Sequence, residues 1–220
     1  ELKAPLSAVE SYLNIIQKRA IGPQLEQYDR IIERCLARMR GMRKLVVDLL
    51  DLTRIESGEM KRDLVEVDLW TILDCVIESN LPLAQETGIT IGTKGLKPLK
   101  MVAERKEIEI ILNNLISNAI KYNRPEGKVE VALETQKGHI VITVSDTGIG
   151  MTQKETNLLF NDFYRVKTAK TQNIPGSGLG LAIIKRIIAL YQGSVNVSSK
   201  PDGGSTFTIK LPVANTLNKP

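Results

Sequence analysis

The sequence predicts an α+β protein with a helical hairpin at its amino-terminal end, followed by a two-layer α/β sandwich. Residues 1 to about 57 carry two helical patterns separated by one Gly/Pro break, the stretch IGPQ at 21–24. Beyond residue 64 helical stretches and β-hairpins are mixed without strict alternation, which favours a mixed, mainly antiparallel sheet. We therefore expect two domains, a hairpin at 1–63 and a sandwich at 64–220.

The composition disfavours several classes of protein. The net charge of +5 comes from 30 basic and 25 acidic residues without a polybasic tract, so nucleic-acid binding is not expected. No apolar run approaches the about 20 residues that cross a bilayer, so a membrane is expected to be reached only through segments absent from this chain. Cys35 and Cys75 lie in apolar helical patterns without metal-ligand spacing, and this predicts reduced core thiols of a cytoplasmic protein.

The hairpin carries a row of apolar residues that one chain alone cannot bury. In the second arm they recur in steps of four and three, the spacing of a coiled coil or four-helix bundle. Burying one large apolar side chain contributes roughly 1.5–3 kcal/mol, so leaving the row in water would cost about as much as a typical domain's stability. We therefore expect two copies to form a dimeric four-helix bundle. The row consists of Tyr28, Ile32, Cys35, Met39, Met42, Val46 and Leu49.

The elements of the second region follow from periodicity and turn residues. Gly58 is expected to end the long helix, and KRDLVEVDL at 61–69 reads as an extended linker. Helices are predicted at 68–87, 105–122 and 179–191, and strands near 89–93 and 99–103. One hairpin is expected from KVEVALET and HIVITVSD, joined by Gln136-Lys137-Gly138, and another from GSVNVSSK and STFTIKLP. The stretch 151–177 between them is rich in loops.

Polar residues on one predicted helix suggest a ligand site. In NNLISNAIKYN at 113–123, Asn114, Asn118 and Lys121 are spaced at i, i+4 and i+7 and so share a helix face. Asparagine is a mediocre helix former, so its use here has a cost. An amide oxygen suits Mg²⁺ and a lysine suits phosphate. A pair of asparagines alone would more often be a polar face toward solvent.

A second candidate lies in VSDTGIG at 144–150, where an apolar strand runs into Asp146. A carboxylate at the end of a buried strand can accept a hydrogen bond from an exocyclic amine. Gly148 and Gly150 would let a flat ring approach the backbone. Taken by itself, the same pattern also fits an ordinary Asp-Gly turn.

A third candidate is the glycine-rich stretch GSGLGLAIIKR at 176–186, which leads directly into an amphipathic helix. Backbone N–H groups of such a loop at a helix N-terminus form a site for phosphates. The stretch does not follow the first strand of a βαβ unit, so it is not a dinucleotide fingerprint. No Lys-Ser/Thr pair follows the glycines, which excludes a P-loop.

In this order and spacing, the motifs closely resemble the catalytic core of a sensor histidine kinase, and the resemblance covers nearly the whole chain. NNLISNAIKYN looks like the N box of that family, DTGIGM its G1 box, FNDFYR at 160–165 its F box and GSGLGLAIIK its G2 box. ELKAPL and LLDLTRIESGEM look like the two ends of the dimerisation hairpin. Each box alone is weak, whereas four boxes in series with a matching hairpin are specific.

The resemblance implies that these residues bind ATP and Mg²⁺. Asp146 would read the adenine amine, supported by Thr206. Asn118 would hold Mg²⁺ with Asn114 beside it, and Lys121 and Tyr122 would contact phosphate and ribose. The glycine-rich loop would cradle the phosphate chain, through Gly176, Ser177, Gly178, Leu179 and Gly180.

The resemblance also implies a mobile lid over the nucleotide at roughly 151–177. Phe160 and Phe163 would anchor this lid, and Arg165 could reach the γ-phosphate. The length of the stretch is unusual for a compact domain, and its position between two glycine motifs favours a functional lid over a merely disordered loop.

In this family the stretch that ELKAPL resembles directly follows the histidine that accepts the phosphoryl group. That residue would stand immediately before Glu1, which would help to orient and deprotonate it. The single histidine present, His139, follows a hairpin glycine and lies far in sequence from the acceptor helix. The chain alone is therefore expected to bind ATP and dimerise without phosphorylating itself. Ala4 stands where the family usually offers Thr or Asn, which predicts weak phosphatase activity toward a phosphorylated response regulator.

The implied function is that of the cytoplasmic catalytic core of a histidine kinase, which phosphorylates a histidine and relays the group to an aspartate of a response regulator. Two other functions remain open at this point. One is an ATP-gated machine with the same nucleotide fold, against which the hairpin ending in RIESG argues. The other is a dimeric scaffold that binds nucleotide without catalysis.

Overall fold

The computed structural model describes residues 3–17, 25–57, 62–166, 168–172, 174 and 176–213. Helices α1 (Lys3–Gln17) and α2 (Leu25–Ser57) pack against each other and form the predicted hairpin. Glu1, the predicted break at 21–24 and the predicted helix end at Gly58 lie outside the described residues. None of the described helices is both long enough and apolar enough to cross a membrane.

The apolar row of α2 is largely open to solvent in the single chain. Cys35 is buried, and Tyr28 and Met42 are half-buried. The other four side chains of the row are exposed, namely Ile32, Met39, Val46 and Leu49. The packing of α1 on α2 therefore leaves most of this face available to a further helix.

The second region follows the predicted order of elements closely. It contains β1 (Val65–Asp68), α3 (Leu69–Thr87), β2 (Thr90–Gly95), β3 (Lys100–Ala103), α4 (Arg105–Lys121), β4 (Lys128–Gln136), β5 (His139–Asp146), α5 (Gln153–Thr156), α6 (Gly180–Leu190), β6 (Ser194–Ser199) and β7 (Ser205–Pro212). The short α5 was not predicted. It begins with a capping box, in which Thr152 and Glu155 each bond the other's backbone N–H.

Strands β2, β4, β5, β7 and β6 form a five-stranded sheet in that spatial order. Only β2 and β4 of this sheet run parallel, and its other neighbours are antiparallel, so the mixed, mainly antiparallel sheet is confirmed. Helices α3, α4 and α6 cover it and bury the apolar face of α4, including Ile111, Leu112 and Leu115. This packing leaves Asn114, Asn118 and Lys121, on the polar face of α4, half-buried.

Two local predictions are corrected by the pairing of strands. The stretch read as a linker contains β1, which pairs antiparallel with β3 through Val65 and Ala103. In the β4–β5 hairpin, Gln136 already pairs with His139, so the turn has two residues rather than three. Both turn residues have positive φ, 48° at Lys137 and 76° at Gly138, as a tight hairpin turn of this length requires.

The predicted burial is wrong for Cys75 and confirmed for Cys35. Cys35 is buried and Cys75 is exposed. The buried face of α3 is centred near Leu69, Leu73 and Val76. At 3.6 residues per turn, Cys75 points about 130° away from the middle of that face. An apolar neighbourhood in the sequence was therefore not enough to place this thiol in the core.

A partly buried cluster of polar side chains joins the start of the second region to its helices. The Arg62 guanidinium donates to both carboxylate oxygens of Glu107, at 2.8 and 2.6 Å. The Tyr191 hydroxyl also donates to Glu107, and it accepts from the Glu104 backbone N–H at 2.9 Å. The guanidinium lies 4.5 Å above the Tyr191 ring. We refer to Arg62, Glu107 and Tyr191 as the clasp.

Candidate functional site

One open cavity brings together most of the residues singled out in the sequence. It has a volume of about 1040 Å³, including space open to solvent, and lies between α4, the end of β5 and the start of α6. Its volume and mixed lining suit a small organic ligand. The predicted residues that line it are Asn114, Asn118, Lys121, Tyr122, Asp146, Gly150, Arg165, Gly176, Ser177, Gly178 and Gly180.

Of the predicted site residues that the structure describes, five do not line the cavity: Gly148, Phe160, Phe163, Leu179 and Thr206. A Cβ on Gly148 would lie 2.3 Å from the Tyr122 carbonyl oxygen, so this glycine is needed where the turn packs on the end of α4. The hydroxyls of Thr206 and Ser145 lie 2.9 Å apart, across the pairing of β7 with β5. Each of the five is next in sequence to a residue that lines the cavity.

Asp146 presents a carboxylate at one end of the cavity. One of its oxygens accepts hydrogen bonds from the backbone N–H groups of Gly148 at 2.8 Å and Ser205 at 3.2 Å. Burial raises the pKa of Asp146 above its usual value, although these two bonds act in the opposite direction. The second oxygen has no hydrogen-bond partner among the described residues. It can therefore accept a hydrogen bond from a ligand.

The turn from 199 to 204 closes tightly on the end of β5. A Cβ on Gly204 would lie 2.0 Å from the Asp146 carbonyl oxygen, and one on Gly150 would lie 1.8 Å from that of Lys200. Both glycines have positive φ. Ser205, which orients Asp146 through its backbone, was missed in the sequence because only the register of β5 with β7 brings the two residues together.

Helix α4 lines the cavity with amide and ammonium groups. The Asn114 amide donates to the Ile110 carbonyl at 2.9 Å, and a Cβ on Gly180 would lie 2.5 Å from the Asn114 side-chain oxygen. Asn114 therefore also packs α4 against the start of α6. Asn118 and Lys121 make no hydrogen bond or ion pair with any residue that the structure describes. Burial, followed by the charge of Lys44, lowers the pKa of Lys121.

The loop before α6 is braced by Arg165. Its guanidinium donates to the Gly176 carbonyl at 3.0 Å and to the Ile174 carbonyl. Gly178 has a φ of 77°, and a Cβ there would lie 2.7 Å from the Phe163 carbonyl carbon. Two residues of the predicted F box, Phe163 and Arg165, thus lie against the glycine-rich loop, and Arg165 also lines the cavity. In this arrangement the donors of Arg165 are directed to the loop.

Ser177 connects the glycine-rich loop to the helical hairpin. Its hydroxyl donates to Asp48 of α2 at 2.7 Å and accepts from the Leu179 N–H at 3.2 Å. Lys44, one turn before Asp48, also lines the cavity. Ser177 and Asp48 are 129 positions apart, so no local pattern in the sequence could indicate this contact.

The side chains of the cavity fit a nucleotide better than a metal ion alone. Within the described residues, no group of three or more His, Cys, Asp or Glu side chains could hold a metal. The groups available for a ligand are a carboxylate oxygen of Asp146, the amide of Asn118 and the ammonium of Lys121. A divalent cation here would need phosphate oxygens and water in addition to the Asn118 amide.

Two families of known proteins match the chain. Residues 103–215 match the family described as histidine kinase-, DNA gyrase B-, and HSP90-like ATPase. Residues 1–58 match the His Kinase A (phospho-acceptor) domain. The sensor-like histidine kinase SenX3 of Mycobacterium tuberculosis is 31% identical over 212 residues, which make up 96% of this chain and 51% of SenX3. The chain thus spans about half the length of this relative.

Solved structures share the fold over nearly the whole chain. The histidine kinase AdeS of Acinetobacter baumannii gives a TM-score of 0.80 at 23% identity, covering 98% of both chains. The histidine kinase ThkA, solved in complex with the response regulator protein TrrA, gives a TM-score of 0.73 at 19% identity. That match covers 97% of this chain and 59% of ThkA. Hairpin and sandwich therefore occur together in other proteins.

Proposed function

This chain belongs to the sensor histidine kinases of two-component systems, and we propose that it transfers the γ-phosphoryl group of ATP to a histidine and relays it to an aspartate of a response regulator. The observation that carries the proposal is the set of ligand-ready groups in one cavity: the second oxygen of Asp146, the Asn118 amide and the Lys121 ammonium. We place the reaction in the cytoplasm, where ATP is supplied. We also propose a domain boundary near residue 63.

Adenine recognition is assigned to Asp146. Its free carboxylate oxygen would accept the exocyclic amine of adenine, while Gly148 and Ser205 hold the other oxygen. A hydrogen bond to an ionised acceptor inside a partly buried cavity is stronger than the same bond in water. Guanine has a carbonyl oxygen at the corresponding position, so the carboxylate would repel it. Asp146 would thus select the base.

The phosphate chain is assigned to the part of the cavity that α4 and the glycine-rich loop line. Asn118 and Lys121 on α4 would bind the phosphates together with N–H groups of the loop from Gly176 to Gly180. Asn118, with Asn114 beside it, would hold Mg²⁺. The positive charge of the ion would offset the negative charge that develops on the phosphates. Tyr122, which also lines the cavity, would face the ribose.

The chemical step needs little covalent work from the protein. A ring nitrogen of the acceptor histidine attacks the γ-phosphorus, and the bond from that phosphorus to the bridging oxygen breaks, releasing ADP. We assign Glu1, which lies outside the described residues, to orient the acceptor and take its proton. The residues of the cavity serve to position the triphosphate and to stabilise its charge.

Replacing Asn118 by Ala should remove most of the effect of Mg²⁺ on ATP binding. The amide oxygen is the protein ligand that this account gives the ion, and the substitution leaves Asp146 and Lys121 in place. Titration of ATP with and without Mg²⁺ measures the effect. Asn196→Ala, at an exposed position of β6, provides the matched control. An Mg²⁺ effect equal in the two variants would contradict the assignment.

A homodimer through the hairpin and a response-regulator receiver domain are the proposed partners. The exposed residues of the α2 row, Ile32, Met39, Val46 and Leu49, would be covered by a second hairpin in a four-helix bundle. Sedimentation at micromolar concentration should therefore give twice the mass of one chain. A monomer under these conditions would contradict the dimer.

A further inference from the structure

Lys44 lines the cavity although it belongs to the helical hairpin and to neither of the motifs that bind phosphate in the proposed function. Its ammonium lies 3.5 Å from an Asp48 carboxylate oxygen, and 48% of its side chain is exposed. Lys44 shares the cavity with Lys121, Asn118 and Ser177. The same cavity therefore receives a positive charge from each of the two domains.

A hydrogen bond holds α2 beside the glycine-rich loop. Asp48 is buried, and its second carboxylate oxygen accepts the Ser177 hydroxyl at 2.7 Å. Ser177 in turn accepts from the Leu179 backbone N–H, at the start of α6. Helix α2 also packs against α6. Asp48 thus fixes Lys44 next to the loop that would cradle the phosphates.

The two lysines form an electrostatic arrangement that an anion would complete. Burial, followed by the nearby charge of Lys44, lowers the pKa of Lys121, whereas the Asp48 carboxylate acts in the opposite direction. No described carboxylate lies close enough to Lys121 to form an ion pair. One carboxylate oxygen of Asp48 already pairs with Lys44, and the other accepts the Ser177 hydroxyl. Two ammonium groups that face one cavity repel each other until a multiply charged group binds between them. A nucleotide polyphosphate has that charge and fits the cavity.

We propose that Lys44 is a further phosphate-binding residue of the ATP site, contributed by the helical hairpin, and that Asp48 is the positioning residue that holds it there through Ser177. The proposal rests on the proposed function, because it assigns the polyphosphate of the same nucleotide. The phosphate end of the site is then complete only while the hairpin is docked on the sandwich. Binding of ATP thereby favours the docked arrangement.

The test compares Lys44→Met with Arg43→Met by calorimetric titration with ATP and with adenosine. Arg43 is the adjacent cation of α2, and it is exposed and does not line the cavity. Lys44→Met should weaken ATP binding by about five- to tenfold, the effect of one partly exposed charged contact, and leave adenosine binding unchanged. Arg43→Met should change neither.

A second comparison tests the role of Asp48. In an Asp48→Ala background, Lys44→Met should cost less than twofold in ATP affinity, because Lys44 is no longer held at the loop. Unchanged adenosine binding by Asp48→Ala shows that the cavity is intact. A Lys44→Met effect as large as in the wild-type background would overturn the positioning role.

Two failures can be told apart. Wild-type chain that binds ATP, with Lys44→Met and Arg43→Met binding it equally well, overturns this proposal alone. If the wild-type chain binds no ATP, the proposed function is contradicted, and this proposal fails with it.

Discussion

Asp146→Asn is expected to weaken ATP binding by about 10- to 100-fold while leaving the fold intact. An asparagine oxygen can still accept the N–H groups of Gly148 and Ser205, which now hold the carboxylate. Its amide nitrogen would then face the adenine amine, so that two donors meet where an acceptor and a donor met before. The loss should therefore appear in nucleotide binding and not in thermal stability.

The measurement is a titration of ATP and GTP, accompanied by thermal unfolding. Because the amide nitrogen can donate to the carbonyl oxygen of guanine, the ratio of ATP to GTP affinity should fall in Asp146→Asn. Asp74→Asn removes an exposed carboxylate of α3 that pairs with Lys97 away from the cavity, and it serves as the control. Equal ATP affinity in the two variants would refute adenine recognition by Asp146.

Arg62→Met should lower the free energy of unfolding by about 2–4 kcal/mol. The substitution replaces the guanidinium above the Tyr191 ring by an apolar chain and removes both guanidinium donors from Glu107, whose side chain is only 2% exposed. Glu107 would keep the Tyr191 hydroxyl as a donor and lose its charge partner. A buried carboxylate without such a partner is costly, and this is why the loss exceeds that of a surface ion pair.

Denaturant unfolding of Arg62→Met, Glu107→Met and the double variant separates the lost charge pair from lost packing. The double variant replaces the pair by two apolar side chains and should recover much of the loss, because removing both charges leaves none unpaired. A loss below about 0.5 kcal/mol in Arg62→Met would mean that the clasp does not hold the start of the second region.

Periodicity and turn residues predicted the elements that local interactions determine. The helix expected at 105–122 is observed as Arg105–Lys121, because its apolar residues repeat at the helical period and form the core. The β4–β5 hairpin was also predicted, although its turn consists of Lys137 and Gly138 and is one residue shorter than expected. The boxes then located the cavity, because α4, the end of β5 and the start of α6 converge there.

Features that depend on distant residues could not be predicted. Neither the parallel pairing of β2 with β4 nor the clasp, in which Arg62 and Glu107 lie 45 positions apart, leaves a local pattern. The contact of Asp48 with Ser177 joins the two domains, and only their docking reveals it. Cys75 was wrongly predicted to be buried. Its sequence neighbours are apolar, but its position on the helix turns it away from the buried face.

The central claim is phosphoryl transfer to a histidine, and the most direct measurement adds that residue immediately before Glu1. The extended chain and the chain that begins at Glu1 are incubated with Mg²⁺ and γ-labelled ATP, and both are titrated with ATP. The account predicts acid-labile, alkali-stable label on the extended chain and none on the chain that begins at Glu1. Binding of ATP by both chains, with label on neither, would contradict the kinase and indicate a nucleotide-binding scaffold.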